Sequence, residues 1–226
     1  MKAVIIIPAL NESQVISQVL QGVKREVKEL SDCEILVVDD GSTDDTYEKV
    51  LDSKVKVVRH VVNRGLGAAL KTGLTWAKKH KADVAVTFDS DGQHNPQDIK
   101  KIIEPIFTKE AEIVIGSRFK KRQNVPADRF IINWIANFTT FLIFGVLSTD
   151  SQSGLRAFSK KAIELIDFKS DRMEFSSEIL LEAKKNSLRI KEVPIDAIYT
   201  KYSRLKGQKN TNAIPVFLKV LIRFLR

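Results

Sequence analysis

The sequence predicts an α/β fold, with a mainly parallel sheet and helices on both faces. Two observations carry this. Short apolar runs alternate along the chain with segments of helical period, and the runs are apolar at successive positions, as strands covered on both faces must be. No internal repeat or low-complexity linker interrupts the alternation.

Taken in order, Val4 to Ile7 reads as the first strand, too short an apolar run for a signal peptide and with no small-residue cleavage site after it. Val15, Ile16, Val19, Leu20, Val23, Val27 and Leu30 then recur at the spacing of one helix face. "EILVVDD" is a second strand and "KVKVVRHV" a third, and Leu66, Ala69, Leu70, Leu74 and Ala77 mark the next helix. "DVAVTFD" and "AEIVIGSR" repeat the pattern, with "PQDIKKIIEPIF" as the helix between them.

A chain of 226 residues, 43% hydrophobic, buries a sizeable core as one large domain or as one domain with an appendage. Its formal charge of +9 suits an anionic partner: nucleic acid, a phosphorylated ligand or an acidic membrane. The one cysteine, Cys33, excludes an internal disulfide and a Cys-rich zinc site, and a reducing compartment is expected.

In open α/β sheets, ligands bind beyond the carboxyl ends of the strands, and the acids collect there. Strand one leads into Asn11 and Glu12, strand two ends at Asp39 and Asp40, and strand four ends at Asp89 and Asp91. Turn chemistry accounts for one acid in "DSDGQHNP". Two acids flanking one serine repel each other unless a cation lies between them.

The segments "PALNE", "VVDDGSTDDT", "NRGLGAAL", "DSDGQHNP", "IGSR" and "DSQSGLRAF", in this order from about Val4 to about Lys209, resemble a family 2 glycosyltransferase of the GT-A type. The pattern is most similar to the dolichyl or polyprenyl phosphate sugar transferases. The resemblance implies a nucleotide sugar donor and a divalent metal, Mg²⁺ or Mn²⁺, held by hard oxygen ligands at Asp89 and Asp91 with Gln93 assisting. It places Pro8, Leu10, Glu12, Val38 and Asp40, with Asp89, Ser90 and Asp91, around the nucleotide sugar. It also places Arg204 and Lys206 over the donor diphosphate, although the spacing around them departs from the relatives. Arg118 of "IGSR" is expected to face an acceptor phosphate, with Arg129 as its companion. Asp39 is open to a turn role and to a functional one, and Asp44 and Asp45 are expected to cap the following helix.

Rival readings are weaker. Gly65-Leu66-Gly67 has the start of a dinucleotide fingerprint, but Leu70 stands where the third glycine belongs. A sugar-1-phosphate nucleotidyltransferase would need a Gly-rich loop where "ALNESQ" stands, and "DSDGQH" lacks the remaining oxygen ligands of a calcium loop. His94 is read as a turn residue. Nucleic-acid binding is not expected, because the aromatic residues are not interleaved with Lys and Arg as a stacking platform requires.

The acceptor side is read from two segments. Phe130 to Thr149 carries no charge, but Asn133, Asn137 and Thr140 share one helical face while Ile132, Ile135, Phe138 and Leu142 occupy others. That pattern predicts an amphipathic helix, interfacial or packed on the sheet, rather than a span of about 20 apolar residues. From Tyr199 to Arg226 there are seven Lys or Arg and no acid, so residues 213–226 are expected to form a basic amphipathic helix after a catalytic domain of residues 1–212. It would pack on the core or lie on an anionic membrane surface, on the cytoplasmic side. The "ED" and "QxxRW" motifs of hydroxyl-directed relatives are absent, which favours a dolichyl or polyprenyl phosphate acceptor. Glu174 and Glu178, four apart, keep a saccharide hydroxyl acceptor open as the alternative.

Overall fold

The computed structural model describes residues 1–120 and 127–198. Seven strands form one sheet: β1 (Ala3–Ala9), β2 (Cys33–Asp39), β3 (Lys56–Arg59), β4 (Val84–Thr87), β5 (Ile113–Ser117), β6 (Arg156–Ser159) and β7 (Ile190–Pro194), in the order β3-β2-β1-β4-β6-β5-β7. Pairing among β3, β2, β1 and β4 is parallel, as expected of apolar strands joined by helices.

Alternation along β1 sets the two cores. Ile5, Ile7 and Ala9 join α1 (Ile16–Val27) and α4 (Asp98–Phe107) on one face. Val4 and Ile6 join α3 (Leu66–Lys79), α6 (Lys160–Leu165) and α7 (Phe175–Lys185) on the other. Gly73 lets α3 sit directly on β1, since a Cβ there would lie 2.2 Å from Ile6 Cγ2. The first helix is shorter than its apolar period, ending at Val27, and Leu30 is only half-buried after it.

The sheet departs from the parallel pattern at one strand. β6 is antiparallel to both neighbours and lies between β4 and β5, so the chain, having formed β5, returns into the middle of the sheet. Between them runs α5 (Ala127–Phe144). The reversal places the start of β6 beside the carboxyl end of β4, with Arg156 opposite Thr87. A segment recognisable in the sequence only as a motif thereby reaches the acid-bearing edge.

Candidate active site

The Asp89–Asp91 turn leaves β4 and is tied down at once. Ser90 Oγ donates to the Pro8 carbonyl across 2.7 Å, joining the turn to the end of β1. Asp91 accepts from the Gln93 backbone N–H at 2.9 Å and from the Gln93 side-chain amide, so that amide turns its nitrogen to the carboxylate. Asp89 accepts from His94 Nε2 at 3.1 Å, and His94 is almost fully buried.

The two carboxyls are driven apart electrostatically. Burial and the neighbouring Asp89 charge raise the Asp91 pKa. Burial alone would raise Asp89 too, but the His94 hydrogen bond and the charges of His94, Arg118 and Arg156 outweigh it and lower that pKa. The Asp89 charge that raises the Asp91 pKa is repulsion that a shared cation would relieve. Among the described residues no group of three or more His, Cys, Asp or Glu forms a metal cage. Two carboxylates on one turn are hard oxygen donors, the chemistry that Mg²⁺ or Mn²⁺ takes.

The turn leading into β6 closes the opposite wall. Gly154 presses its bare Cα on Asp89, and a Cβ there would lie 2.0 Å from Oδ2. Thr87 Oγ1 holds the Gly154 carbonyl at 2.7 Å. Arg156 is fully buried and donates to the carbonyls of Ser151, Ser153 and Ser176 at 2.7, 2.9 and 3.2 Å. Burial lowers its pKa to about 10, so it stays cationic at neutral pH. Asp150, also fully buried, grips Arg118 through Nε and Nη2 at 2.7 and 2.8 Å. Sequence reasoning missed His94, Asp150, Gly154 and Arg156; the "DSQSGLRAF" motif was the available signal for the last three.

Several expected ligand contacts meet competing bonds. Asp40 is buried and accepts from Arg64 N and Gly65 N at 3.0 and 2.7 Å while pairing with His60 Nδ1 at 2.7 Å. A ribose at Asp40 would compete with these three. The Val38 side chain is fully buried in the core, which leaves only its backbone to a ligand. Asp39 pairs with Arg59 Nε at 3.1 Å, and Arg59 stacks over Tyr47 with 4.3 Å to the ring centroid. Pro8 and Glu12 are buried and Leu10 half-buried at the same edge. Asp44, rather than Asp45, serves the α2 (Thr46–Asp52) start: it accepts from Thr46 N at 3.0 Å and Ser13 N at 3.1 Å, while Asp45 makes no side-chain cap bond. Glu178 is spent on the backbone N–H groups of Lys169 and Ser170, both at 2.9 Å. Arg204, Lys206 and residues 213–226 lie outside the described residues, as does the Arg129 side chain.

The sequence profile described as "Glycosyl transferase family 2" matches residues 4–166. The chain belongs to glycosyl transferase family 2. This glycosyltransferase is 41% identical to the UDP-N-acetylglucosamine--dolichyl-phosphate N-acetylglucosaminyltransferase of Methanococcus voltae, over 96% of this chain and 94% of that one. It is 32% identical to the undecaprenyl-phosphate mannosyltransferase of Micrococcus luteus, over 86% and 83% of the two chains. Its fold matches glucosyl-3-phosphoglycerate synthase from Mycobacterium tuberculosis, solved with Mn²⁺, UDP and glucosyl-3-phosphoglycerate, with a TM-score of 0.71 at 22% identity over 97% and 77% of the chains. The glycosyltransferase thus has the α/β architecture that the sequence predicts, of the GT-A type.

Proposed function

We propose that this family 2 glycosyltransferase moves a sugar from a nucleoside diphosphate to a dolichyl or polyprenyl phosphate, with inversion and with Mg²⁺ or Mn²⁺ at Asp89 and Asp91. A bound divalent cation supplies Lewis-acid stabilisation to the charge growing on the departing diphosphate. The chain's own residues set the geometry. Asp89 is oriented by His94 and Gly154, and Arg118, aimed by Asp150, receives the acceptor phosphate through charge-assisted hydrogen bonds. A phosphate oxygen bonds to the anomeric carbon as its bond to the diphosphate oxygen breaks, and the electron pair leaves with the diphosphate. The acceptor is already an anion, so no base is required, and the engagement of both Glu178 oxygens accords with that.

The observation that carries the lipid acceptor is the polarity of α5. Its outer face exposes Trp134, Ile135, Phe138, Phe141 and Leu142, while Asn133 and Asn137 bond inward to the Thr149 carbonyl, next to the Asp150 that holds Arg118. A surface helix with its apolar side outward suits the interfacial region of a bilayer. Among the described residues no helix is long and apolar enough to cross a membrane; the outward apolar face of α5 is what favours peripheral attachment. The test is a transfer assay in detergent with UDP- and GDP-sugars against polyprenyl phosphate, polyprenol and a soluble saccharide. Transfer to polyprenyl phosphate alone is expected, with Arg118→Ala impairing acceptor use far more than donor binding. Efficient transfer to the saccharide and none to the lipid phosphate would reject it.

A further inference from the structure

The inward side of α5 does more than anchor a helix. Asn137 Nδ2 donates to the Thr149 carbonyl at 2.8 Å, and its Oδ1 accepts from Ser151 N at 2.9 Å. One side-chain amide therefore closes on the peptide groups at both sides of Asp150. The Asp150 carboxylate grips Arg118 on the acceptor side. Its carbonyl accepts from Ser153 N at 3.1 Å, Arg156 binds the Ser151 and Ser153 carbonyls, and the turn ends with Gly154 against Asp89 on the donor side. Residues 149–156 thus form one braced turn that touches both halves of the site.

We infer that Asn137 is a positioning residue that couples the apolar face of α5 to Arg118 and Asp89, so that contact of this face with a lipid surface sets the catalytic geometry. The inference rests on the lipid-phosphate reading above. Two-point hydrogen bonding is directional, so it resists both sliding and rotation of the helix relative to the turn, which apolar packing alone does not. A displacement near 1 Å at reacting groups costs about a hundredfold in rate, so a small shift in α5 is enough to matter. Asn133 donates to the same Thr149 carbonyl at 2.8 Å, but its Oδ1 has no hydrogen-bond partner among the described residues, so it holds only one side of Asp150.

The experiment uses the full chain with a nucleotide sugar and a short, water-soluble prenyl phosphate, with and without anionic phospholipid vesicles. Wild type should turn over faster when vesicles are added. Asn137→Ala should lose that response and fall on the order of tenfold in kcat with vesicles present, in line with other outer-sphere partners of a site. Its nucleotide-sugar affinity and its sedimentation with vesicles should stay at wild-type levels, since Asn137 lies off the apolar face. Asn133→Ala should keep most of the response. Asn137→Asp retains the acceptor for Ser151 N and loses the donor to Thr149; it should behave as Asn137→Ala does, and it serves as the measured variant if the alanine form unfolds. A wild-type vesicle response in both Asn137 variants, or no response in wild type, overturns the coupling while leaving the acceptor assignment intact. Failure of wild type to use any prenyl phosphate overturns that assignment and the coupling with it.

Discussion

Gly154→Ala isolates the wall behind Asp89. The added Cβ would sit 2.0 and 2.2 Å from the two carboxylate oxygens, and Cβ contacts below 3.0 Å essentially do not occur, so something must move by about 1 Å. The turn is the stiffer partner: Thr87 holds the Gly154 carbonyl, Gly116 N holds the Leu155 carbonyl at 2.9 Å, and Arg156 holds the Ser153 carbonyl. Among the described residues Asp89 accepts one hydrogen bond, from His94, and its side chain is 32% exposed. The carboxylate should therefore swing away, and turnover should fall by about a hundredfold for a displacement of this size. Gly154 is not among the glycines with positive φ, so alanine brings no backbone strain there. Overpacking costs about 1–3 kcal/mol when nothing yields. Here Asp89 yields, and the lower chain entropy of alanine in the unfolded state returns about 0.4–1 kcal/mol. The melting temperature should fall by less than about 4 °C, at roughly 2–4 °C per kcal/mol for a chain of this size. Initial transfer rates, Mn²⁺ titration calorimetry and a thermal melt on the same preparations test this. A variant with wild-type turnover and Mn²⁺ affinity would refute the placement of Asp89 against this turn.

Three further outcomes follow from the same geometry. Asp91 has a raised pKa, so its contribution to stability is full below the ordinary carboxylate pKa and is lost as pH rises through the folded value. At neutral pH Asp91→Asn should therefore melt no lower than metal-free wild type while losing stabilisation by Mn²⁺ and at least about a hundredfold in turnover; a lower melting point with metal response intact would contradict it. Asp44 behaves in the opposite sense: burial opposes ionisation, but bonds from Thr46 and Ser13 outweigh it and bring the pKa to about 2. Its stabilisation is complete above the ordinary carboxylate pKa and is lost as pH falls through about 2, so urea titrations should show Asp44→Ala costing about 1 kcal/mol at pH 7 and progressively less in acid, allowing for its partial exposure. Glu178→Gln leaves one of two backbone N–H groups without a good acceptor and should cost about 1–3 kcal/mol in denaturant melts while keeping turnover at a permissive temperature. Selective loss of turnover with unchanged stability would restore Glu178 as a base.

What the sequence by itself determined was local in origin. Apolar runs and helical spacing marked β1 to β5 and their helices, turn chemistry marked the acids at the strand ends, and the polar face of α5 was visible as Asn133, Asn137 and Thr140, because each depends on neighbours within a few residues. The six ordered motifs carried the family. Tertiary structure alone decided that β6 enters antiparallel between β4 and β5, since strand order and direction are set by pairing between segments far apart in the chain. From that one choice come the pairing of Arg118 with Asp150, 32 residues away, and of Thr87 with Gly154, 67 residues away. Asp40 and Glu178 carry the same lesson. Both have the residue type of a ligand-binding acid or a base, and both are occupied by backbone N–H groups of loops that packing brings to them. A buried carboxylate takes whichever donors surround it, and those donors are set by the fold rather than by the residues beside it in the chain.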